Sequence, residues 1–406
     1  MNAAPSAPVQ RWLSPSVIAG LGIVAGQGFS RFTFGLLFPR MGASLVGSTS
    51  TSSLLAALYA AAYVAGIAAL IYLTRHVAPL RLLIGGLSTS TIGLLSIGLA
   101  HSKVLVLIGL VVAGLGAAFT YVPALSFVGA SVHHLKRSRA TGLAGAGIGT
   151  GIIVARVLAA AFGAETTASG WRDVWIGEAV IAAVVTGLVV WYSLRVSSGV
   201  EERGTAVSVT FRMPHWRSLA LAYLCFGVDY SIFSNLAVKG WELGGLSASW
   251  AANALLFVAP AQISGGFLTL WLAKRFGARR AAVVSFVLLA LAMFEVSLHS
   301  SNFALSVMAA LLLGLVGAGI TAQFVLIVRE RLTTLHLNRD ATTTVFGVIT
   351  LLYGLGGLVG LLGGSQLARG HGSLTSTFLL ATLVGLAGAM FAHHGTRDLA
   401  VAWRSH

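Results

Sequence analysis

Polar residues along this chain fall in short clusters that separate long apolar runs. Most of these runs reach about 20 residues, the length that an α-helix needs to cross the hydrocarbon core of a bilayer. The pattern predicts an all-α integral membrane protein. Its twelve transmembrane helices are numbered here as spans 1 to 12 in chain order: 14–39, 52–73, 80–100, 104–132, 140–163, 173–194, 217–239, 248–273, 280–299, 303–328, 342–368 and 373–393.

The composition excludes a soluble or disordered protein. Hydrophobic residues make up 56% of the chain and charged residues only 9%, whereas soluble domains carry about 25% charged residues. The 49 glycines lie inside the apolar runs, where small residues let membrane helices approach closely. A single cysteine, Cys225, excludes a disulfide framework or a cysteine metal site. With no metal-spaced cluster or nucleophile triad apparent, we expect neither a cofactor nor an enzyme.

The net charge of +15 predicts orientation, not nucleic-acid binding, because the basic residues form small groups between spans. With the N-terminus inside, 19 of the 26 Lys and Arg residues fall in inner segments and 5 in outer segments. Lys and Arg are enriched in cytoplasmic loops. Both termini are therefore predicted to be cytoplasmic.

The longest polar stretch, 195–216, predicts a cytoplasmic linker between two six-helix bundles, 1–194 and 217–406. The halves resemble each other at an offset of 200, which predicts pseudo-two-fold symmetry. The matched pairs are Gly66 with Gly266, Arg75 with Arg275, Gly114 with Gly314, Leu115 with Leu315, Arg139 with Arg339 and Gly147 with Gly347. Such repeats place a substrate site between the halves, near the middle of the bilayer.

Three motifs resemble the major facilitator superfamily: GGFLTLWLAKRFGARR (265–280), the degenerate copy GIAALIYLTRHVAPLR (66–81), and WRDVW (171–175). In the family this motif has an acidic residue whose charge interacts with neighbouring helix ends. Thr74 and Lys274 occupy that position here, so the resemblance does not imply the same interaction in this chain. The segment GFSRFTFGLLFPRM (28–41) is similar to the first helix of the YbfB/YjiJ-type branch. The resemblance implies a monomeric transporter of a bacterial inner membrane, whose spans 1, 4, 7 and 10 line a central cavity.

Two charges near the middle of the membrane are candidate functional groups, since each costs about 3 kcal/mol there and usually faces a cavity or a partner. Arg31 in span 1 shares a helical face with Gln27, and its guanidinium can bind a carboxylate or phosphate through two hydrogen bonds. Asp229 in span 7 can carry the proton that couples transport. The alternative is a permanent Arg31–Asp229 ion pair that joins spans 1 and 7.

Arg156 and Glu178 lie equally far from the turn between spans 5 and 6, which predicts that they form a structural ion pair. The alternatives are that Arg156 is a second anion ligand and that Glu178 is a second proton-coupling group. Glu295, near the outer end of span 9, is expected to extend to the interface.

Other polar and aromatic residues in the spans suggest a moderately polar, aromatic-lined pocket, and hydrogen bonding between helices is the alternative role for each. They are Tyr59, Tyr63, Tyr121, Gln262, Gln323 and Tyr353. The glycine run at 142–151 is interpreted as a close-packing or hinge surface.

These features favour a secondary transporter that moves a small organic anion by alternating access, coupled to protons. The alternative is efflux of drugs or metabolites by proton antiport, with Asp229 binding a cation. A membrane-embedded enzyme or a sensor is disfavoured, because the chain shows neither a polar cluster at one membrane face nor an added soluble domain.

Overall fold

The computed structural model describes residues 14–41, 49–133, 137–164, 167, 169–195, 208–298, 301–334, 341–371 and 374–397. Within these ranges twelve helices are long and apolar enough to cross a membrane, and no β-strand occurs, which confirms the predicted fold class. The helical spans are Pro15–Met41, Leu54–Leu73, Pro79–Gly98, Lys103–Ser131, Arg139–Ala161, Gly170–Arg195, Trp216–Leu243, Ala248–Phe276, Ala278–Ser297, Phe303–Thr333, Thr344–Leu367 and Thr375–Gly395.

The predicted linker 195–216 lies largely outside the described residues. Its described part contains one short helix, Ser208–Arg212, which ends before span 7 begins at Trp216.

Span 1 is divided by a π-helical segment at its centre. The helix Pro15–Ile23 leads into the π segment Val24–Phe29, and a regular helix resumes over Ser30–Met41. A π-helical turn contains an extra residue and often marks a functional position. Here it contains Gln27 and ends two residues before Arg31.

Spans 5 and 8 are also interrupted. Span 8 changes from one helix to the next at Phe257, where Pro260 has no N–H to donate to the carbonyl four residues earlier. Span 5 is interrupted at Ala146, inside the glycine run. These interruptions lie in two helices that pack against each other across the interface of the halves, since a Cβ on Gly149 would contact the backbone of Ala259.

Helix packing repeats between the halves. A Cβ on Gly114 would contact the carbonyl of Tyr59, and a Cβ on Gly314 would contact the carbonyl of Val258. The interface of spans 2 and 4 is therefore reproduced between spans 8 and 10.

One matched pair from the sequence is wrong by a residue. A Cβ on Gly66 would contact the backbone of Leu115, and the glycine that meets Leu315 in the same way is Gly265. Gly266, the predicted counterpart, would place a Cβ in open space. The offset is therefore 199 at this point of span 8, which lies between the interruption at Phe257 and the start of span 9.

The glycine run of span 5 forms a close-packing surface against span 1, as predicted. A Cβ added to Gly151 would lie 2.6 Å from the Cα of Gly28, and one added to Gly147 would contact the carbonyl of Gly20. Any side chain at these positions would force the two helices apart. This contact positions the central part of span 1, including its π segment.

Candidate functional site

A cavity of about 440 Å³ lies between the two halves. Spans 1, 2, 4 and 5 contribute lining residues from the first half, and spans 7, 8, 10 and 11 from the second. The lining residues are Gln27, Arg31, Phe32, Tyr63, Tyr121, Ile148, Tyr223, Phe226, Tyr230, Gln262, Gly317, Thr321, Thr350 and Tyr353.

Arg31 reaches across this cavity to the opposite half. Its Nη2 donates a hydrogen bond to Oγ of Ser231 over 2.8 Å. Its Cζ lies 4.9 Å from the ring centroid of Tyr230 and 5.1 Å from that of Tyr353, within cation–π range. Arg31 and Ser231 are separated by the repeat offset of 200, so equivalent positions of the two halves meet directly at their interface.

The π segment and span 2 hold the chain around Arg31. Nε2 of Gln27 donates to the carbonyl of Ala117 in span 4 over 2.8 Å. The hydroxyls of Ser30 and Tyr59 lie 3.0 Å apart and share a hydrogen bond. Tyr59 also lines a smaller cavity behind Arg31 together with Tyr63 and Tyr353. The sequence predictions for Gln27, Tyr59 and Tyr63 thus concern residues that the fold places beside Arg31.

Aromatic rings surround the guanidinium. The ring centroid of Tyr353 lies 5.5 Å from Tyr223, 5.2 Å from Phe226 and 6.3 Å from Tyr230. Phe32 meets Tyr230 edge-on at 5.9 Å. Three of these rings, Tyr223, Phe226 and Tyr230 of span 7, were not predicted from the sequence. Their spacing of three and four residues, which places them on one helical face, was the signal that could have identified them.

Three polar atoms of the cavity lining are buried: Arg31 Nε, which has no hydrogen-bond partner among the described residues, and the Tyr230 hydroxyl and Gln262 Oε1, which lie close to each other. Buried polar groups in native proteins are nearly always hydrogen-bonded. Two of these atoms can donate and one can accept, so the cavity offers a complementary set of groups to a polar ligand.

A second cavity, of about 650 Å³, adjoins the first and shares Tyr121, Ile148, Gln262 and Thr321 with it. It extends along the starting end of span 5, at Thr141, and along the final part of span 10, as far as Arg329. The two cavities together give access to the centre of the molecule from the side on which span 5 begins and span 10 ends.

The opposite side is closed by contacts between the halves. A Cβ on Gly35 of span 1 would collide with the carbonyl of Ser234 in span 7. Arg156 of span 5 donates to Oδ1 of Asn253 in span 8 from Nε at 3.1 Å and from Nη2 at 2.8 Å. Among the described residues, these contacts join the halves on the side opposite to the second cavity.

The predicted ion pair between Arg156 and Glu178 is wrong for this structure. Glu178 is fully buried, and its Oε1 accepts a hydrogen bond from the hydroxyl of Thr33 in span 1 over 2.5 Å. Arg156 bonds to Asn253 and lies outside the described lining of the central cavity. The two charges contact different neighbours: Arg156 contacts span 8 and Glu178 contacts span 1.

Asp229 faces away from Arg31. It is fully buried, and neither carboxyl oxygen has a hydrogen-bond partner among the described residues. A Cβ on Gly385 of span 12 would lie 2.8 Å from its Oδ2 and 3.0 Å from the Cβ of Ala290 in span 9. The Arg31–Asp229 ion pair considered from the sequence is therefore absent, and Asp229 lies within the second bundle.

Two further polar residues in the second half also face neighbouring helices. Nε2 of Gln323 donates to Ser285 of span 9 over 3.3 Å, and Gln323 lies outside the described lining of the central cavity. Glu295, expected at the interface, is instead 5% exposed and accepts from the indole N–H of Trp241 over 3.4 Å. The buried Trp241 side chain provides a hydrogen bond that the interface would otherwise supply.

Comparisons with known proteins agree with this architecture. The family described as "Uncharacterised MFS-type transporter YbfB" matches residues 23–393. A crystal structure of a variant of the E. coli fucose:proton symporter FucP shares 16% identity and has a TM-score of 0.65, covering 94% of this chain and 97% of that one. A structure of FucP in its outward conformation shares 17% identity and has a TM-score of 0.64, covering 95% and 99%. At such identities the likeness concerns the fold alone, and no curated protein matches the sequence.

Proposed function

This chain belongs to the YbfB-type family of major facilitator superfamily transporters, as its motifs predicted, and we propose that it moves a small organic anion by alternating access, coupled to protons. The observation that carries the proposal is the position of Arg31. It is the single charged residue among the described residues that line the central cavity.

The surroundings of Arg31 support binding of an anion. In this conformation its described contacts are a hydroxyl and aromatic rings, and no described carboxylate neutralises it. A cation within the membrane is costly unless it is paired or hydrated. A bound carboxylate would supply the missing counter-charge, and Arg31 Nε would donate to it in a charge-assisted hydrogen bond.

The placement of the acidic residues disfavours the antiport of cations. A cationic substrate would need a carboxylate in the cavity lining, and none is found among the described lining residues. Asp229, the candidate cation site in that alternative, faces spans 9 and 12.

Alternating access is supported by the asymmetry of the cavity. Access from one side depends on the gap beside spans 5 and 10, while the contacts Gly35–Ser234 and Arg156–Asn253 close the other side. Rocking of one bundle against the other around the cavity would break the closing contacts and close the gap. The charge bias of the loops makes the open side the cytoplasmic one.

Proton coupling is proposed for Asp229, with Glu178 as a second candidate. Each carboxyl group is fully buried and has at least one oxygen without a hydrogen-bond partner among the described residues. A buried charge of this kind is costly, and binding a proton removes the charge. FucP, which shares the fold, is a fucose:proton symporter, so this architecture is compatible with proton coupling.

The experiment is uptake of labelled organic anions into proteoliposomes under an acid-outside pH gradient, paired with binding to the purified protein. We expect accumulation of at least one anion and a loss of affinity of about 10- to 100-fold in Arg31→Gln, since a hydrogen bond to a charged group contributes about 1.5–3 kcal/mol. Arg195→Gln, the same substitution at the exposed end of span 6, is the control. Unchanged affinity in Arg31→Gln would remove Arg31 from the site.

A further inference from the structure

We propose that the transported anion is an aromatic monocarboxylate. This inference rests on the proposed anion transport and narrows its substrate. The supporting observations are the charge of the cavity lining, the number of aromatic rings in it, and the buried polar atoms of the same side chains.

The charge of the lining limits the ligand to one carboxylate. Arg31 is the single cationic side chain among the fourteen described lining residues. Arg156, the other arginine within the membrane, is engaged with Asn253 at the closed side. A second carboxylate on the ligand would lie in the cavity without a counter-charge, which opposes its transfer from water.

The rest of the lining is suited to a flat ring. Seven of the fourteen lining residues are aromatic, and Ile148 is the one with a branched aliphatic side chain. Aromatic pairs favour offset or edge-to-face arrangements with ring centroids about 4.5–7 Å apart. The rings of Tyr223, Phe226 and Tyr353 lie tilted to one another by 39–44°, so they present both faces and edges.

Polar atoms and rings meet at the position needed for such a ligand. The guanidinium of Arg31 lies against the rings of Tyr230 and Tyr353. A carboxylate bound to Arg31 Nε would therefore have its attached ring beside these same side chains. The Tyr230 hydroxyl, whose hydrogen can rotate, provides a second donor to the carboxylate.

Gln262 extends the specificity to a substituent on the ring. Its Oε1 lies close to the Tyr230 hydroxyl. It lies 3.2 Å from the position of a Cβ on Gly317, and the same Cβ would clash with the ring of Tyr230 at 2.6 Å. The absence of a side chain at Gly317 thus makes room for the ring of Tyr230 beside Gln262, and a hydroxyl or N–H substituent on the ligand ring would donate to Oε1 in place of the Tyr230 hydroxyl.

The test measures binding of four probes to the full-length purified protein. Benzoate is compared with cyclohexanecarboxylate, which has the same charge without an aromatic ring, with benzamide, which has the ring without the charge, and with isophthalate, which has a second carboxylate. We expect benzoate to bind about 3- to 10-fold more tightly than cyclohexanecarboxylate, because an aromatic contact contributes beyond its buried area. Benzamide and isophthalate should bind more weakly than benzoate.

Two variants connect this preference to the lining. Tyr353→Leu should lower the ratio of benzoate to cyclohexanecarboxylate affinity to about 1, and Tyr353→Phe should leave it at the wild-type value. Tyr72→Leu, which removes an aromatic ring that is 63% exposed outside the cavity, should leave the ratio unchanged. If Tyr353→Leu does not fold, Phe226→Leu provides the same measurement, since its ring lies 5.2 Å from that of Tyr353.

The outcomes separate the two proposals. Equal affinity for benzoate and cyclohexanecarboxylate, both lost in Arg31→Gln, would overturn the aromatic preference and leave anion transport standing. Tighter binding of isophthalate than of benzoate would overturn the restriction to one carboxylate. Failure of the wild-type protein to bind or transport any anion would overturn both proposals.

Discussion

At the scale of single residues, the ionisable groups within the membrane are separated by role. Arg31 lies in the cavity between the halves, whereas Asp229 and Glu178 are buried inside separate bundles, facing Gly385 and Thr33 respectively. A substrate held by Arg31 and a proton held by Asp229 would therefore not contact each other. Coupling between them would depend on how binding changes the packing of span 7, which contributes both Asp229 and the rings beside Arg31.

This separation makes a prediction for Asp229→Asn. We expect the variant to lose accumulation driven by an acid-outside pH gradient, because its amide can no longer gain and lose the proton. Exchange of labelled for unlabelled substrate at equal pH should continue near the wild-type rate, since the side chain lies outside the described lining of the cavity. Both rates are measured in the same proteoliposomes.

Glu242→Gln, at the end of span 7, where Glu242 pairs with Lys239 at 3.3 Å, is the matched control and should retain both activities. Gradient-driven accumulation by Asp229→Asn would show that another group carries the proton, and Glu178→Gln would be examined next. Loss of exchange together with accumulation would point to a structural role for Asp229.

The same residues show how far the site could be predicted. The sequence indicates how far each charge lies from the turn between spans 5 and 6, and this distance is equal for Arg156 and Glu178. It does not give the rotation of each helix, because apolar residues surround every face of a span in lipid. The predicted pair failed for this reason, and Tyr223, Phe226 and Tyr230 escaped notice because their shared face resembled the remaining apolar surface.

At the scale of helices, span 5 contacts both halves of the molecule. Its Gly147 and Gly151 pack against the backbone of span 1 within the first half, and Gly149 packs against Ala259 of span 8 in the second. Farther along the same helix, Arg156 reaches Asn253. Since alternating access would separate spans 5 and 8 near Arg156, this hydrogen-bonded pair is a candidate for stabilising the conformation in which that side is closed.

We therefore predict that Asn253→Ala shifts the population toward the conformation that is open on the side where Arg156 now contacts Asn253. Loss of one partner leaves the other buried group without its hydrogen bond, at a cost of about 1–3 kcal/mol. The reporter is Ser234→Cys in a Cys225→Ala background, because Ser234 is 1% exposed at the closed side. Its labelling by a membrane-impermeant maleimide should become faster by a factor of about 5 to 150.

The control is Ser264→Ala, which changes an exposed hydroxyl of span 8 that bonds to the carbonyl of Pro260. It should leave the labelling rate at the value of the reporter background. An equally slow rate in Asn253→Ala would show that the Arg156–Asn253 contact does not hold the two halves together.

At the scale of the whole molecule, the number of spans and the family were predictable because the bilayer and the repeat constrain the entire sequence. Bilayer thickness determines how long each apolar run must be, and the observed spans begin and end within a few residues of the predicted ones. The conformational state was not predictable in this way. A transporter must populate states open to either side with similar free energies, so its sequence is compatible with both.

The state and the orientation lead together to a prediction about access. The loop charges predict that the start of span 5 lies in the cytoplasm, and the adjoining cavity reaches Thr141 at that end. In a Cys225→Ala background, Thr141→Cys should react with an impermeant maleimide in inside-out vesicles and be protected in right-side-out vesicles. Ser301→Cys, in the exposed connection between spans 9 and 10, should show the opposite pattern and serves as the control. Reversal of both patterns would invert the orientation. Labelling of Thr141→Cys from both sides would instead contradict the closure by Arg156 and Asn253. In alternating access the cavity is open to one side at a time, so this contact must keep the maleimide from entering from the other side.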